Sequence, residues 1–434
     1  MNKKTFKLYI NIIYFFLQDF SKKSIPPISE IITALLCSYS AHISNAFLVY
    51  NLKNHFTSYY KIINKCKFNY LSIYKRIFLF VIHFILHSNI NIYLCLDDTF
   101  SPRFSKKAPY SHIINKKGQY LLAQVRIVIS IIIAFNDKKI FSIPILTKLV
   151  NYHSKEKKNQ KNKYNTTKLT NALAMLRFIL SWTNNKFCKK FVLLTDAWYM
   201  RGNFLIDAVR RYNLTVIGRV RKDTVLHLPV TERNKRGRPR IYGEKVTKSF
   251  INALDVTETT LFIYSKKRKV QYKSLIAYPR FLKGKIKCKI LFVKIPDLKQ
   301  KKFAVIVCTN PDMNDEEIIK AYAKRWKIEN MFRELKQIFG LNEIWQRNKK
   351  SVNKMTALVM AGYSICAIMN YWAAINKIDI SSIVPWRSEN SFTIGLMKNY
   401  LIGILRNYNV RKEIRKIYKE KIDFERKIRE YFLK

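Results

Sequence analysis

The 434-residue sequence lacks any two cysteines at C-x-x-C spacing. Its seven cysteines are scattered and odd in number, which argues against a disulfide scaffold and a structural zinc site and fits a reducing cytosol. The seven histidines are equally dispersed. His83 and His87 stand four residues apart, but no third ligand lies near them in the sequence. We therefore interpret both as packing residues rather than metal ligands.

Long uninterrupted hydrophobic runs are also missing. The apolar run near Ile10–Leu17 follows two lysines, as in a signal peptide, but Asn11 interrupts it and no small-residue cleavage site follows. Thr356–Ala374 is nearly long enough to span a bilayer but contains Asn370, and we interpret it as a buried helix of a catalytic domain. We therefore predict a cytoplasmic protein that has no membrane partner.

Acidic residues are scarce. The chain has 28 Asp and Glu residues against 81 Lys and Arg residues, a formal net charge of +53. This excess is more than solubility requires and predicts a polyanionic partner whose binding releases counterions. An AT-rich coding sequence would also enrich a chain in Lys, Asn, Ile and Tyr. Arginines at defined positions are therefore stronger evidence for DNA binding than the total charge.

Changes of pattern divide the chain into five predicted regions. Residues 1–90 are predicted to form a helical N-terminal DNA-binding region, although no helix-turn-helix signature is clean. Residues 91–223 alternate buried strands with helices, which predicts an α/β fold with a mixed sheet. Residues 224–300 are typical of a β-rich insertion. Residues 301–375 resume the core, and residues 376–434 form a basic helical tail.

The most informative segment places four functional side chains on one face of a predicted helix. This helix begins with a cap at Asn314 and ends near Gly340. The alternative interpretation is an ordinary amphipathic core helix with solvated charges. The four residues stand at relative positions 0, 3, 7 and 14, which return to the same face: Tyr322, Arg325, Glu329 and Lys336.

Two apolar runs that precede this helix end in aspartates. Asp97 and Asp98 follow residues 92–96, and Asp196 follows residues 191–195. Carboxylates at the ends of buried strands are costly unless they are paired or bind metal, and ligands collect at such strand ends. Together with Glu329 they would suit two Mg²⁺ ions roughly 4 Å apart. The alternative interpretation is that they are turn or cap residues.

The spacing Tyr322-x2-Arg325-x3-Glu329-x6-Lys336 resembles the Y-R-E-K signature of IS4-like DDE transposases of bacterial insertion sequences. The segments 96–99 (Leu-Asp-Asp-Thr) and 194–199 (Leu-Thr-Asp-Ala-Trp-Tyr) also resemble that family, so the resemblance covers about residues 90–375. It implies an RNase H-like mixed-sheet catalytic core with a β-rich insertion between the second Asp and the Glu, in addition to the helical N-terminal domain.

The resemblance also implies a site and its partners. The catalytic and metal-binding triad would be Asp97 or Asp98, Asp196 and Glu329. Motif variants within the family select either first aspartate, and we favour Asp97. The cofactor would be two Mg²⁺ ions, for which Mn²⁺ can substitute. The partners would be double-stranded DNA, as terminal inverted repeats and target, and a second copy in a synaptic dimer within the nucleoid.

Several basic and aromatic side chains are predicted to contact the DNA. Arg325 can hold a phosphate bidentately, and Lys336 can act on another phosphate as a point charge. Tyr322 can donate a hydrogen bond to a phosphate or stack on a displaced base. Arg219 and Arg221 follow a strand beyond the second aspartate, and we predict that they contact the DNA backbone.

A second basic motif lies within the predicted insertion. Residues 235–240 read Lys-Arg-Gly-Arg-Pro-Arg, an extended element suited to the narrow minor groove of AT-rich DNA and similar to an AT-hook. Arg236, Arg238 and Arg240 are its predicted DNA contacts. The alternative interpretation is a flexible, solvated basic loop.

These features predict a DNA transposase that binds terminal inverted repeats and catalyses metal-dependent strand cleavage and strand transfer. Three alternatives remain. The chain could be an inactive transposase-derived protein that only binds DNA, or an RNase H-like nuclease or resolvase that cleaves without joining. The third alternative, a basic membrane-associated protein, is motivated by Thr356–Ala374 alone.

Overall fold

The computed structural model of the chain describes residues 2–86, 91–116, 118–136, 138–151, 168–183, 191–230, 240–298, 303–381, 384, 386, 392–419 and 424–432. The chain divides into two compact units. Unit 1 comprises residues 1–90, 98–163 and 328–434, and unit 2 comprises residues 91–97 and 164–327.

The helices and strands follow in chain order. The helices are α1 (Asn2–Leu17), α2 (Ile25–Cys37), α3 (Ile43–Val49), α4 (Phe56–Asn64), α5 (Tyr70–Phe84), α6 (Lys168–Ser181), α7 (Gly202–Arg210), α8 (Lys248–Ala253), α9 (Asp315–Lys324), α10 (Trp326–Gln337), α11 (Lys349–Ile375), α12 (Ile394–Leu405), α13 (Val410–Lys419) and α14 (Phe424–Phe432). The strands are β1 (Ile92–Pro102), β2 (Ser111–Lys116), β3 (Gln119–Ala134), β4 (Ile140–Leu149), β5 (Phe191–Thr195), β6 (Thr215–Val220), β7 (Leu226–His227), β8 (Thr257–Ile263), β9 (Lys266–Pro279), β10 (Cys288–Lys294) and β11 (Ala304–Cys308).

Helix α11 forms the core of unit 1. Helices α1, α2, α5 and α12 pack around it. It is long and apolar enough to cross a membrane, but 89% of its most apolar window is buried inside the fold. An apolar helix that neighbouring helices cover in this way belongs to the core of the fold. The predicted burial of Thr356–Ala374 is therefore confirmed.

Unit 1 also contains an antiparallel β-layer. Strand β3 pairs with β2 on one side and with β4 on the other, and the second part of β1 lies next to β3. The apolar run at residues 125–133 of β3 is almost continuously buried, which is why its sequence shows no alternation. The hairpin partner β2 carries polar and charged residues, and the sequence pattern did not predict it.

Unit 2 is built on a mixed sheet. The first part of β1, β5 and β6 run parallel to one another, and β11, β10, β9 and β8 continue the sheet in antiparallel order. Residues 224–300 therefore supply strands to this sheet, together with the short helix α8, which was not predicted. The mixed sheet with its helices and the helical N-terminus confirm the predicted α/β class and fit an RNase H-like core.

Two predicted helices are interrupted for local reasons. The sequence pattern over residues 28–50 predicts one long helix, and this prediction is wrong, because α2 ends at Cys37 and α3 begins at Ile43. Between them the Ser38 and Ser40 hydroxyls accept hydrogen bonds from the backbone N–H groups of Ser40 and His42, and such bonds compete with helix continuation. The predicted single helix from residue 314 to residue 340 divides at Arg325 into α9 and α10.

Candidate active site

The register of two parallel strands places Asp97 and Asp196 side by side. Strand β1 pairs with β5 from Ile92–Phe191 to Leu96–Thr195, so Asp97 and Asp196 occupy the next equivalent positions. Neighbouring strands lie about 4.8 Å apart, and side chains at paired positions point to the same face. The two carboxylates therefore share one face of the unit 2 sheet where the β1–β5 pairing ends.

Asp98 occupies a different position from Asp97. Strand β1 does not end at the aspartates, as the sequence suggested, but continues to Pro102. Because successive side chains of a strand alternate between faces, Asp98 points to the face opposite Asp97. The face that Asp97 shares with Asp196 therefore favours Asp97 over Asp98 as the first acidic residue of the site.

Arg325 forms an ion pair with Asp97. Its Nη1 atom lies 3.3 Å from Asp97 Oδ2, and the two side chains are only 14% and 16% exposed. The backbone N–H of Arg325 bonds to the carbonyl of Tyr322 at 3.0 Å, a tight i to i−3 turn that separates α9 from α10. The break in the helix therefore coincides with the residue that reaches the carboxylate.

Helix α9 is fixed to the unit 2 sheet at its N-terminus. The Asn314 side chain accepts from the N–H groups of Glu316 and Glu317 at 2.9 and 3.3 Å, which confirms the predicted cap. Lys289 on β10 pairs with Asp315 at 3.1 Å. The side chain of Glu317 accepts from Asn91 at 2.8 Å, just before β1. These contacts set the position from which Tyr322 and Arg325 reach the aspartates.

Tyr322 shares this environment. Burial raises the pKa of its phenol, whereas a hydrogen bond with Arg325 and the charges of Arg325 and Arg219 lower it. The negative charge of Asp196 raises it further. Three other predicted site residues therefore act on the Tyr322 phenol: Arg325, Arg219 and Asp196.

Asp196 also organises the backbone that follows β5. Its Oδ1 atom accepts from the N–H groups of Trp198 and Tyr199 at 3.0 and 3.2 Å. This Asx-type turn matches the alternative interpretation of the sequence, but a turn residue can also bind a ligand. Gly218, paired with Thr195, allows the close approach of β6, because a Cβ there would lie 2.6 Å from Thr195 Oγ1.

A cavity of about 740 Å³ opens beside Asp196. Arg221 lines it, as does Trp198, whose ring has Lys168 Nζ at 4.8 Å and the Arg201 guanidinium at 5.9 Å from its centroid. Cations held on an exposed ring are typical of surfaces that bind nucleic-acid strands. No sequence pattern identifies three of the lining residues, which come from two segments far apart in the chain: Arg201, Arg280 and Phe281.

Glu329 and Lys336 lie on α10 in unit 1. Seven residues separate them, so they occupy the same face of the helix two turns apart. Lys336 Nζ lies 4.8 Å from the centre of the Phe100 ring. On the same helix Glu334 accepts a hydrogen bond from the Tyr363 hydroxyl at 2.8 Å. Trp326, the first residue of α10, is 49% exposed.

The second basic motif is described only in part. Arg236 and Arg238 lie outside the described residues, and Arg240 is exposed. Their predicted contact with the minor groove stays a prediction.

The donor set of the site fits a hard divalent cation. Asp97 and Asp196 offer carboxylate oxygens on one sheet face, and Mg²⁺ prefers such ligands. Over the described ranges, no three His, Cys, Asp or Glu side chains are gathered closely enough to hold a metal ion. Two carboxylates and the cation of Arg325 are therefore what the described part of unit 2 brings together.

Comparisons with known proteins identify the family of the chain. A family model described as DDE superfamily endonuclease matches residues 30–274, which include Asp97 and Asp196. A search of curated proteins finds no match. Among solved structures, the NurA nuclease from Sulfolobus solfataricus is 11% identical over 56% of this chain and 75% of that chain, at a TM-score of 0.24. Because the family match spans more than half of the 434 residues, the chain belongs to the DDE superfamily of endonucleases.

Proposed function

We propose that the chain is a DNA transposase that cuts at the terminal inverted repeats of its element and joins the freed ends to target DNA. The observation that carries this proposal is the placement of Asp97 and Asp196 side by side, with Arg325 on Asp97. Membership of the DDE endonucleases supplies the reaction class, phosphoryl transfer on nucleic acid. The Y-R-E-K spacing supports the narrower assignment to IS4-like transposases.

Asp97, Asp196 and Glu329 would hold the metal ions. We propose Mg²⁺, as two ions for which Mn²⁺ can substitute. When bound, these ions would lower the pKa of the attacking water or 3′-hydroxyl and neutralise charge on the leaving oxygen. Glu329 follows Arg325 by four residues, about 6 Å along a helical chain. Arg325, which pairs with Asp97, is therefore followed about one helical turn later along the chain by Glu329.

The basic side chains of the site would hold the DNA end. Arg325 has the planar guanidinium that suits bidentate contact with a phosphate, and a phosphodiester can take the place of Asp97 as its partner. Burial raises the pKa of Tyr322 and keeps its phenol protonated, so its hydroxyl can donate a hydrogen bond to a phosphate oxygen. We propose that Arg219 and Arg221 contact the backbone beside Asp196, and that Lys336 contacts a further phosphate.

The proposal is tested by cleavage of DNA that carries the inverted repeats flanking the coding sequence, with Mg²⁺ present. The Asp196→Asn and Glu329→Gln variants should lose cleavage and retain DNA binding. Each variant has a matched control. Asp223 lines the same cavity as Asp196, and the Asp223→Asn variant is the control for Asp196→Asn. Glu334 lies on the same helix as Glu329, and the Glu334→Gln variant is the control for Glu329→Gln. Cleavage at the wild-type rate by the Asp196 or Glu329 variant would overturn the assignment.

The same assay separates the alternative functions. DNA binding without cleavage by the wild-type chain would indicate an inactive transposase-derived protein. Cleavage without joining to a target plasmid would favour a nuclease or resolvase. We also propose that two copies bring two ends together in a nucleoid-associated complex. Light scattering of the chain on DNA ends should then give the mass of two chains, and a single-chain mass would contradict it.

A further inference from the structure

Two buried arginines of unit 1 have no acidic partner among the residues that the structure describes. Arg126 is fully buried and Arg103 is 8% exposed. Both donate to one amide oxygen, Gln124 Oε1, at 2.8 Å from Arg103 and 3.0 Å from Arg126. Arg126 also donates to Ser101 Oγ at 2.8 Å, and Arg103 to the Asn342 carbonyl at 2.6 Å. Neutral oxygens therefore surround two positive charges.

This arrangement leaves charge uncompensated. Burial lowers the pKa of Arg103 to about 10, and burial together with the charge of Arg103 lowers the pKa of Arg126 to about 9. Each guanidinium also keeps a buried Nε–H group without a partner. Buried charges without a counter-charge are costly, and the cost falls when an anion enters their field.

A cavity gives an anion access to this field. It measures about 220 Å³, and Arg103 and Gln124 form its buried wall. Lys107 and Arg347 line it from the exposed side and offer direct hydrogen-bond donors. The space suits a single phosphate with its sugar rather than a duplex.

Two exposed aromatic rings border the same cavity. Phe104 is 91% exposed and Trp345 is 59% exposed, and their ring centroids lie 6.4 Å apart. Large exposed rings among basic side chains are typical of platforms on which unpaired bases stack. Lys349, which lies 5.4 Å from the centre of the Tyr110 ring, extends the basic surface beyond Arg347.

We propose that this cavity of unit 1 binds a single-stranded nucleic-acid segment, with one phosphodiester in the field of Arg103 and Arg126 and an adjacent base stacked on Trp345. That the strand is DNA rests on the proposed function. The uncompensated charge of Arg103 and Arg126 would by itself be balanced by any anion. The cavity lies within unit 1, and its residues are separate from Asp97 and Asp196.

The experiment measures binding of a fluorescent five-nucleotide oligothymidylate to the full chain without divalent metal, by anisotropy. The Trp345→Ala variant should weaken binding about tenfold, as expected for the loss of one stacked base. The Trp386→Ala variant removes another highly exposed tryptophan and should bind as the wild type does. Equal affinity of the wild type and Trp345→Ala, or equal affinity for an abasic strand of the same length, would overturn the stacking assignment.

The charge assignment is tested separately. Inorganic phosphate should raise the melting temperature of the wild type, and should raise it much less in Arg103→Met and in the exposed variant Arg347→Ala. Equal phosphate-induced shifts in all three proteins would overturn the anion site. Competition by poly-glutamate as strong as that by the oligonucleotide would indicate an acidic peptide instead. Because neither measurement requires cleavage, both can be made in Asp196→Asn, and failure here leaves the proposed catalytic function untouched.

Discussion

The ion pair between Arg325 and Asp97 should be strongly coupled. The two charges lie 3.3 Å apart on side chains that are 14% and 16% exposed. With an effective dielectric constant of about 20, their attraction is roughly 5 kcal/mol before desolvation. Removing two ions from water offsets much of this, so we expect a net coupling of about 1–3 kcal/mol.

A double-mutant cycle measures this coupling. The free energies of unfolding of the wild type, Arg325→Met, Asp97→Asn and the double variant are obtained from urea denaturation at pH 7. The pair Arg211–Asp207 is the matched control, because its atoms lie 3.0 Å apart but its side chains are 70% and 29% exposed. An i,i+4 surface pair of this kind should give about 0.3–0.5 kcal/mol.

Salt provides a second discriminating measurement. Raising the ionic strength from about 0.1 to 1 M shortens the screening length from about 10 to 3 Å, and should weaken the exposed pair more than the partly buried one. An Arg325–Asp97 coupling no larger than that of the control pair would refute the prediction that partial burial strengthens this ion pair. Arg325 would then lie near the carboxylate without being positioned by it.

Three further predictions concern stability and reactivity. Gly340→Ala should lower the free energy of unfolding by more than about 1 kcal/mol, because Gly340 has φ +66° and an added Cβ would lie 2.3 Å from the Ala41 backbone nitrogen. Equilibrium unfolding measures this, and an unchanged denaturation midpoint would contradict the backbone conformation at Gly340. A thiol reagent should label the exposed Cys66 rapidly and Cys95 only on unfolding, because Cys95 is buried and burial raises the pKa of its thiol. Peptide mapping of the labelled protein measures this. Burial lowers the pKa of Lys398 to about 8 from its ordinary 10.5, so the unfolded chain binds the additional proton between those values. The wild type should therefore gain stability from pH 8 to pH 10 relative to Lys398→Met, and parallel pH profiles of the two proteins would contradict this.

Local patterns predicted most elements because they depend on neighbouring residues. The apolar run before Asp196 is strand β5, and the Asn314 side chain caps α9 as predicted. The interruptions were not predicted. The break at Arg325 coincides with an ion pair to Asp97, a residue more than two hundred positions away. Strand β2 has only Ile113 and Ile114 among polar residues, too weak a pattern to predict a strand, and it pairs with β3 along its whole length.

The residues of the candidate site were likewise only partly predictable from the sequence. The sequence identified Asp97, Asp196, Tyr322 and Arg325 as candidate site residues, in their order along the chain. It favoured Asp97 over Asp98 only through the family resemblance, because adjacent positions in a strand point to opposite faces and only pairing tells which face matters. Arg280 and Arg201 were missed because neither stands in a pattern of its own. They become site residues only through the cavity they share beside Asp196.

The sequence by itself determined the types of the main elements, the order of the acidic residues and the spacing along the Tyr322–Lys336 segment. These depend on the periods of the helix and strand, which extend over a few residues. Only the tertiary structure decided that Asp97 stands beside Asp196 and that Arg103 and Arg126 are buried around Gln124 without a carboxylate. Strand register and side-chain burial arise from contacts between distant parts of the chain, which no local period specifies.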